Sequence, residues 1–201
     1  MRLIVVDFME WLNNRRPPWA AYHAMMIGWM IALDKQPRVR PVGVGETWRR
    51  LMEKCLLRVT GQEANAACGT EHLAGGVEAD IEVGIHARRL LWHQNSQEED
   101  WGFLLIDARN AFNEENWTEI IWAVQHKWTS GAQFPFNCYR HWSTLVVRDT
   151  EYGSGHLLHS KEGLTQGHPL SMIAYSIGVL PLIRELLEAH PCSCHSALVH
   201  G

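Results

Sequence analysis

The sequence predicts an α+β fold, and three observations carry that reading. Segments with apolar residues at i, i+3, i+4 and i+7 spacing are interleaved with short continuous or β-branched apolar runs, so helices and strands alternate without a regular βαβ rhythm. The 201 residues are 46% hydrophobic and 20% charged, a globular composition long enough for one domain, or a domain plus a subdomain, around a core. No internal repeat or low-complexity tract is present, and Pro and Gly fall between the periodic segments. Disorder, collagen and coiled coil are excluded.

Taken in order, residues 19–33 alternate small and large apolar groups at helical spacing and predict a helix. Asp34 to Pro41 is basic and bounded by prolines, which predicts an extended strand or loop. From Glu46 to Val59, the residues Trp48, Leu51, Met52, Cys55, Leu56 and Val59 share one face and Arg49, Arg50, Glu53 and Lys54 the other, an amphipathic helix ended by Gly61. A second helix is expected from about Val77 to Trp92, with Ile81, Ile85, His86 and Leu90 on one face.

Gln97 to Asp100 reads as an acidic turn, and Trp101 to Asp107 as a strand buried on both faces that ends in a carboxylate. Asn113-Glu114-Glu115 supplies a cap and two acids for a helix reaching Trp128, with Ile120, Ile121 and Val124 inward. Ser143 to Arg148 and His156 to Ser160 predict a strand pair around a turn at 151–155, and residues 163–169 a turn-forming loop. Pro169 or Leu170 then opens a long apolar helix. Its stretch Leu170 to Leu187 is broken by Ser171, Ser176, Pro181, Arg184 and Glu185, short of the ~18 uninterrupted residues a membrane span needs, and reads as a core helix.

The formal net charge of -4 supplies no global field toward nucleic acid, so any such binding rests on a local basic patch. Five scattered cysteines, an odd number, and the absence of an apolar signal core after Met1 predict a reduced, intracellular chain that is not secreted. Cys192, Cys194, His195 and His200 could ligate zinc, but Cys-x-Cys is not structural zinc spacing, and a disordered terminus is the expectation. Ten tryptophans stand against four tyrosines.

Candidate chemistry sits at three places. Asp107, at the end of a buried strand, either caps the next turn or serves as a hard oxygen donor for Mg²⁺. Lys35, Arg38 and Arg40 form a basic cluster that is either a solvated face or a clamp for a triphosphate. Gln166-Gly167-His168-Pro169 is a turn with an exposed amide.

In their order along the chain, these segments resemble the fingers and palm of a reverse transcriptase of the LINE type, over roughly residues 19–190. Ile31-Ala32-Leu33-Asp34-Lys35 and Arg40-Pro41-Val42-Gly43-Val44 look like the first fingers motifs. Leu104 to Asn113 looks like palm motif A, and Glu162 to Ser171 like motif B. The resemblance implies that Lys35 and Arg40 contact the incoming triphosphate and that Asp107 binds the catalytic metals, Mg²⁺ or Mn²⁺. It implies that Phe112 stacks under the sugar and screens against a 2′-hydroxyl, and that Gln166 and Gly167 contact nucleotide and template. The implied partners are an RNA template, a DNA primer and deoxynucleoside triphosphates, with no membrane.

The resemblance implies a partial polymerase right hand: fingers plus an incomplete palm, lacking the Tyr-x-Asp-Asp hairpin and the thumb. The expected division is a leader at 1–18, a fingers-like region at 19–100, a partial palm at 101–190 and a divergent tail at 191–201. No Asp-Asp pair occurs, and residues 191–201 contain no acid, so a two-metal site would lack most of its anionic ligands. His168 also departs from the motif, which more usually carries Asp or another small polar residue. The reading is therefore a truncated copy of an RNA-directed DNA polymerase with little or no activity. A non-catalytic remnant that binds nucleic acid, and a poorly folded fragment with an unpaired strand edge, remain as alternatives.

Overall fold

The computed structural model describes residues 2–36, 38–69, 80–102, 109–148, 155–165 and 167–190. The strand expected to end at Asp107, most of the 151–155 turn, Gln166 and the 191–201 tail lie outside them. Among the described residues the elements run α1 (Arg2–Asn14), α2 (Trp19–Met26), β1 (Gly28–Lys35), β2 (Arg38–Gly45), α3 (Thr47–Ala67) and α4 (Asp80–Asn95). They continue with α5 (Trp117–Lys127), α6 (Gln133–Tyr139), β3 (Ser143–Arg148), β4 (Gly155–Ser160) and α7 (Pro169–Ala189). The α+β class is as expected.

The four strands form one mixed sheet in the order β2-β1-β3-β4. The outer pairs are antiparallel, with Lys35 opposite Arg38 and Arg148 opposite Gly155, and β1 lies parallel to β3. The helix expected over 19–33 therefore stops at Met26. Ile27 turns extended (φ -63°, ψ 128°) and Gly28 begins the strand. Trp29, Ile31 and Leu33 satisfy a two-residue repeat as well as a helical one, and pairing with both β2 and β3 decides between them.

α3 continues through Gly61 to Ala67, because Ala64, Ala67 and Cys68 are buried beyond it and outweigh the ~1 kcal/mol cost of a mid-helix glycine. The face of α3 is also rotated from the expected one. Met52 and Leu56 are buried, whereas Trp48, Leu51 and Val59 are exposed and Arg49 and Glu53 are buried. α5 takes its cap from Asn116, whose Oδ1 accepts from the Thr118 and Glu119 amides, because 111–113 closes a 3₁₀ turn first. On α4, Val83, Ile85, Leu90 and Trp92 are each about half exposed, so the expected apolar face does not turn into the core.

The core lies among α3, α5, α6 and α7, around Met52, Ile120, Val124, Trp128, Phe134 and Ile177. α7 passes the length and composition test for crossing a membrane, but it packs against α5 and α3 with Leu170, Ile173, Ile177 and Leu180 buried. α1 and α6 were not among the expected elements. They are tied together by the buried Asn137 amide, which donates to the Leu12 carbonyl at 3.1 Å and the Arg15 carbonyl at 2.7 Å and so ends α1. Among the described cysteines, Cys55, Cys68 and Cys138 are free thiols, and burial pushes Cys68 and Cys138 up to about 11.

Glu115 shows how the packing couples to pH. Its carboxyl lies against Gly178 of α7, and burial, aided by the Glu119 charge, raises its pKa to about 7 from 4.5. The folded state thus holds a proton that the unfolded state has lost, so this group reduces stability as pH rises from about 4.5 to about 7. Urea unfolding of Glu115→Gln, compared with the parent at pH 5 and pH 8, is expected to show a gain confined to the higher pH.

Candidate functional site

A cleft of about 460 Å³ opens where the β1–β2 hairpin, α3 and the start of α7 meet, lined by Arg40, Arg50, Lys54, Phe112, Gly167, His168, Pro169, Ser171 and Met172. Arg40 comes from β2, and Arg50 and Lys54 sit one turn apart on α3, so three cations face one hollow. Pro169 opens α7, whose N-terminal partial positive charge adds to theirs. Phe112 supplies an apolar wall and is held by its ring packing against Tyr175 of α7, with centroids 4.6 Å apart and the planes tilted by 30°. The combination suits a ligand with an anionic end and a flat or ring-shaped end.

The loop before α7 is fixed from two sides. Its Leu164 amide donates to the Phe112 carbonyl at 2.5 Å and its Gly163 amide to Glu115 at 2.8 Å, while Trp117 Nε1 donates to the Gly163 carbonyl at 2.6 Å. Gly163 has φ +79°, and a Cβ there would stand 2.4 Å from the Asn113 carbonyl oxygen, so only glycine fits. On the other side the loop lies against β2, where a Cβ at Gly43 would meet Thr165 at 2.7 Å and one at Gly45 would meet His168 at 2.5 Å. Two bare strand positions thus let the loop sit directly on the hairpin.

Beneath the cleft runs a buried polar network. Glu53 receives Arg49 Nε at 3.0 Å and His168 Nδ1 at 3.0 Å, and Arg49 reaches Tyr139 Oη at 3.2 Å. Burial alone would raise Glu53, but hydrogen bonds and charge from His168 and Arg49 outweigh it and hold the carboxyl below its ordinary range. Burial, with the Arg49 and Arg50 charges, holds His168 below the usual imidazole range despite Glu53. A neutral His168 donating from Nδ1 to an ionised Glu53 is the consistent assignment. His168, foreseen only as an atypical motif residue, therefore joins α3 to the cap of α7.

Of the expected site residues, Arg40, Phe112 and Gly167 line this one cleft. Lys35 is placed at the end of β1, opposite Arg38. Asp107 and Gln166 lie outside the described residues. Lys54 and the Arg49–Glu53–His168 network were not foreseen as site residues, and Arg50 only as the far end of a basic cluster running from Lys35. The Arg49-x-x-x-Glu53 spacing was a signal for the pair, whereas its burial depends on contacts remote in sequence. Among the described residues no three His, Cys, Asp or Glu side chains could together hold a metal ion. They form no metal centre by themselves.

A second groove, of about 790 Å³, lies beside the cleft, between Met30, Pro41 and Gly43 of the hairpin and the 109–114 and 160–165 segments. Against known proteins, no family model matches the chain, and no curated protein matches it in sequence. Solved structures do match. A structure of apo telomerase from Candida tropicalis, truncated from its C-terminal domain, superposes at TM-score 0.55 and 14% identity over 84% of this chain. The likeness is one of fold. The match spans 41% of the telomerase chain, so a fold in common with part of that chain, and no more than that, is shared.

Proposed function

We propose that this chain is a reverse-transcriptase-like domain, of LINE-type retroelement ancestry, that holds a deoxynucleoside triphosphate beside an RNA template and DNA primer. The convergence of Arg40, Arg50 and Lys54 with Phe112 and the start of α7 in one cleft carries this reading. The cations, with Lys35 from the same hairpin, meet the triphosphate; cationic donors to phosphate are charge-assisted and hold it strongly. Phe112, backed by Tyr175, lies under the sugar and discriminates by volume. The motif resemblance assigns Gln166 and Gly167 to nucleotide and template, and the neighbouring groove takes the template strand.

By the motif resemblance, Asp107 would hold the Mg²⁺ or Mn²⁺ that accompanies the triphosphate. A two-metal clamp needs several carboxylates to bring the attacking 3′-hydroxyl and the leaving pyrophosphate together. The cleft residues predict triphosphate binding as a property separate from incorporation.

Binding of a fluorescent deoxynucleoside triphosphate with Mg²⁺ tests this. Arg50→Ala combined with Lys54→Ala is expected to weaken binding about a hundredfold or more, since hydrogen bonds to charged groups contribute ~1.5–3 kcal/mol each. The corresponding unphosphorylated nucleoside is expected to be insensitive to the substitutions. An unchanged triphosphate affinity in the double variant would refute the cleft assignment.

A further inference from the structure

A run of alternating imidazole and indole rings crosses the outside of the fold where α2 meets β3 and β4. His159 lies 4.4 Å from Trp142, Trp142 5.2 Å from His23, His23 5.5 Å from Trp19 and Trp19 5.0 Å from His141, centroid to centroid. His23 is anchored by Nε2 to Thr144 Oγ1 at 3.1 Å, and Thr144 is the register partner of His159, so helix and sheet hold the run as one rigid strip. Trp142 is 44% exposed, and His141 and His159 are exposed. The chain's surplus of tryptophan is partly spent on this surface rather than in the core.

Positive charge lies along the strip. The Arg140 guanidinium sits 5.6 Å over the Trp19 ring, and Arg140 and Arg16 both lie over Phe136, at 5.9 and 5.1 Å. Their proximity lowers the Arg140 pKa after burial has done so, and among the described residues neither forms an ion pair with a carboxylate. Lys161 joins Arg140, His141 and Trp142 around an adjoining hollow of about 400 Å³, where Glu162 is the acidic group. His159 and Lys161 also line the larger groove beside the hairpin, so the strip continues that groove outward.

We infer that this strip is a platform for single-stranded nucleic acid, its bases stacking on Trp142 and its phosphates meeting Arg16 and Lys161. Exposed rings serve single strands because a duplex hides its base faces, and exposed cations answer a phosphate backbone. The strip shares no side chain with the nucleotide cleft, so it stands or falls independently of that assignment.

The test is fluorescence anisotropy of a labelled oligothymidine about 12 nucleotides long, within the span such platforms cover. Trp142→Ala is expected to weaken binding about tenfold and Trp142→Phe to restore most of it, because any flat ring can stack. Arg16→Ala is expected to reduce the slope of log affinity against log salt by about 0.7, one phosphate contact on a single strand. No binding by the parent, a loss in Trp142→Ala as large for a duplex of the same length as for the single strand, or Trp142→Ala binding like the parent while retaining its thermal unfolding midpoint would each overturn the inference.

Discussion

Replacing Glu53 with Ala is expected to destabilise the fold by about 3–5 kcal/mol, the range for removing one partner of a buried ion pair. The Arg49 side chain is 5% exposed and that of Glu53 1%, so the guanidinium left behind can regain neither water nor a second carboxylate. His168 Nδ1 loses its acceptor in the same step, and the cap of α7 loses its tie to α3. Urea unfolding measures the loss. Arg49→Met combined with Glu53→Leu is expected to cost less than Glu53→Ala alone, because no charge is then stranded. Both Glu53 and His168 are shifted downward from 4.5 and 6.5. The parent is therefore expected to lose stability as pH falls, first below about 6.5 as the unfolded imidazole protonates, then through the carboxylate range. Glu115 acts in the opposite direction above pH 4.5.

Gly163→Ala is expected to cost about 3 kcal/mol and to reduce triphosphate binding with it. Holding an L-residue in the left-handed region costs ~1–2 kcal/mol, and forcing a methyl into filled space adds ~1–3 kcal/mol. Here the obstacle is the Asn113 backbone, which cannot rotate away as a side chain would. Gly167 provides the comparison. Its φ is +84°, but a Cβ there meets nothing within 4 Å, so Gly167→Ala carries only the conformational part, ~1–2 kcal/mol. The substitution at Gly163 also displaces the Leu164 amide from the Phe112 carbonyl, which is how a stability change reaches the cleft. A larger loss at Gly167 than at Gly163, by urea midpoint, would contradict this.

The sequence carried the strands β3 and β4 and the proline-led start of α7, because β-branched runs, turn residues and Pro169 are local signals. The segment 19–33 was misread because small and large apolar residues in alternation fit both periods, and only pairing with β2 and β3 selects the strand. α3 illustrates the other limit. Its amphipathic spacing was visible, yet Glu53 is buried by His168, 115 positions away, and no window along the helix contains that information. Arg40, Phe112 and Gly167 came from motif resemblance and meet in one cleft, whereas Arg50 and Lys54 looked like an ordinary solvated face until the hairpin folded over them.

The most direct measurement of the account is whether a primer annealed to an RNA template dictates which deoxynucleoside triphosphate this chain retains. With a primer ended at its 3′ carbon so that no bond can form, the proposed cleft predicts that the nucleotide complementary to the next template base binds more tightly than the other three, and that Arg50→Ala with Lys54→Ala removes the difference. Equal retention of all four nucleotides, or a preference indifferent to those substitutions, would contradict it.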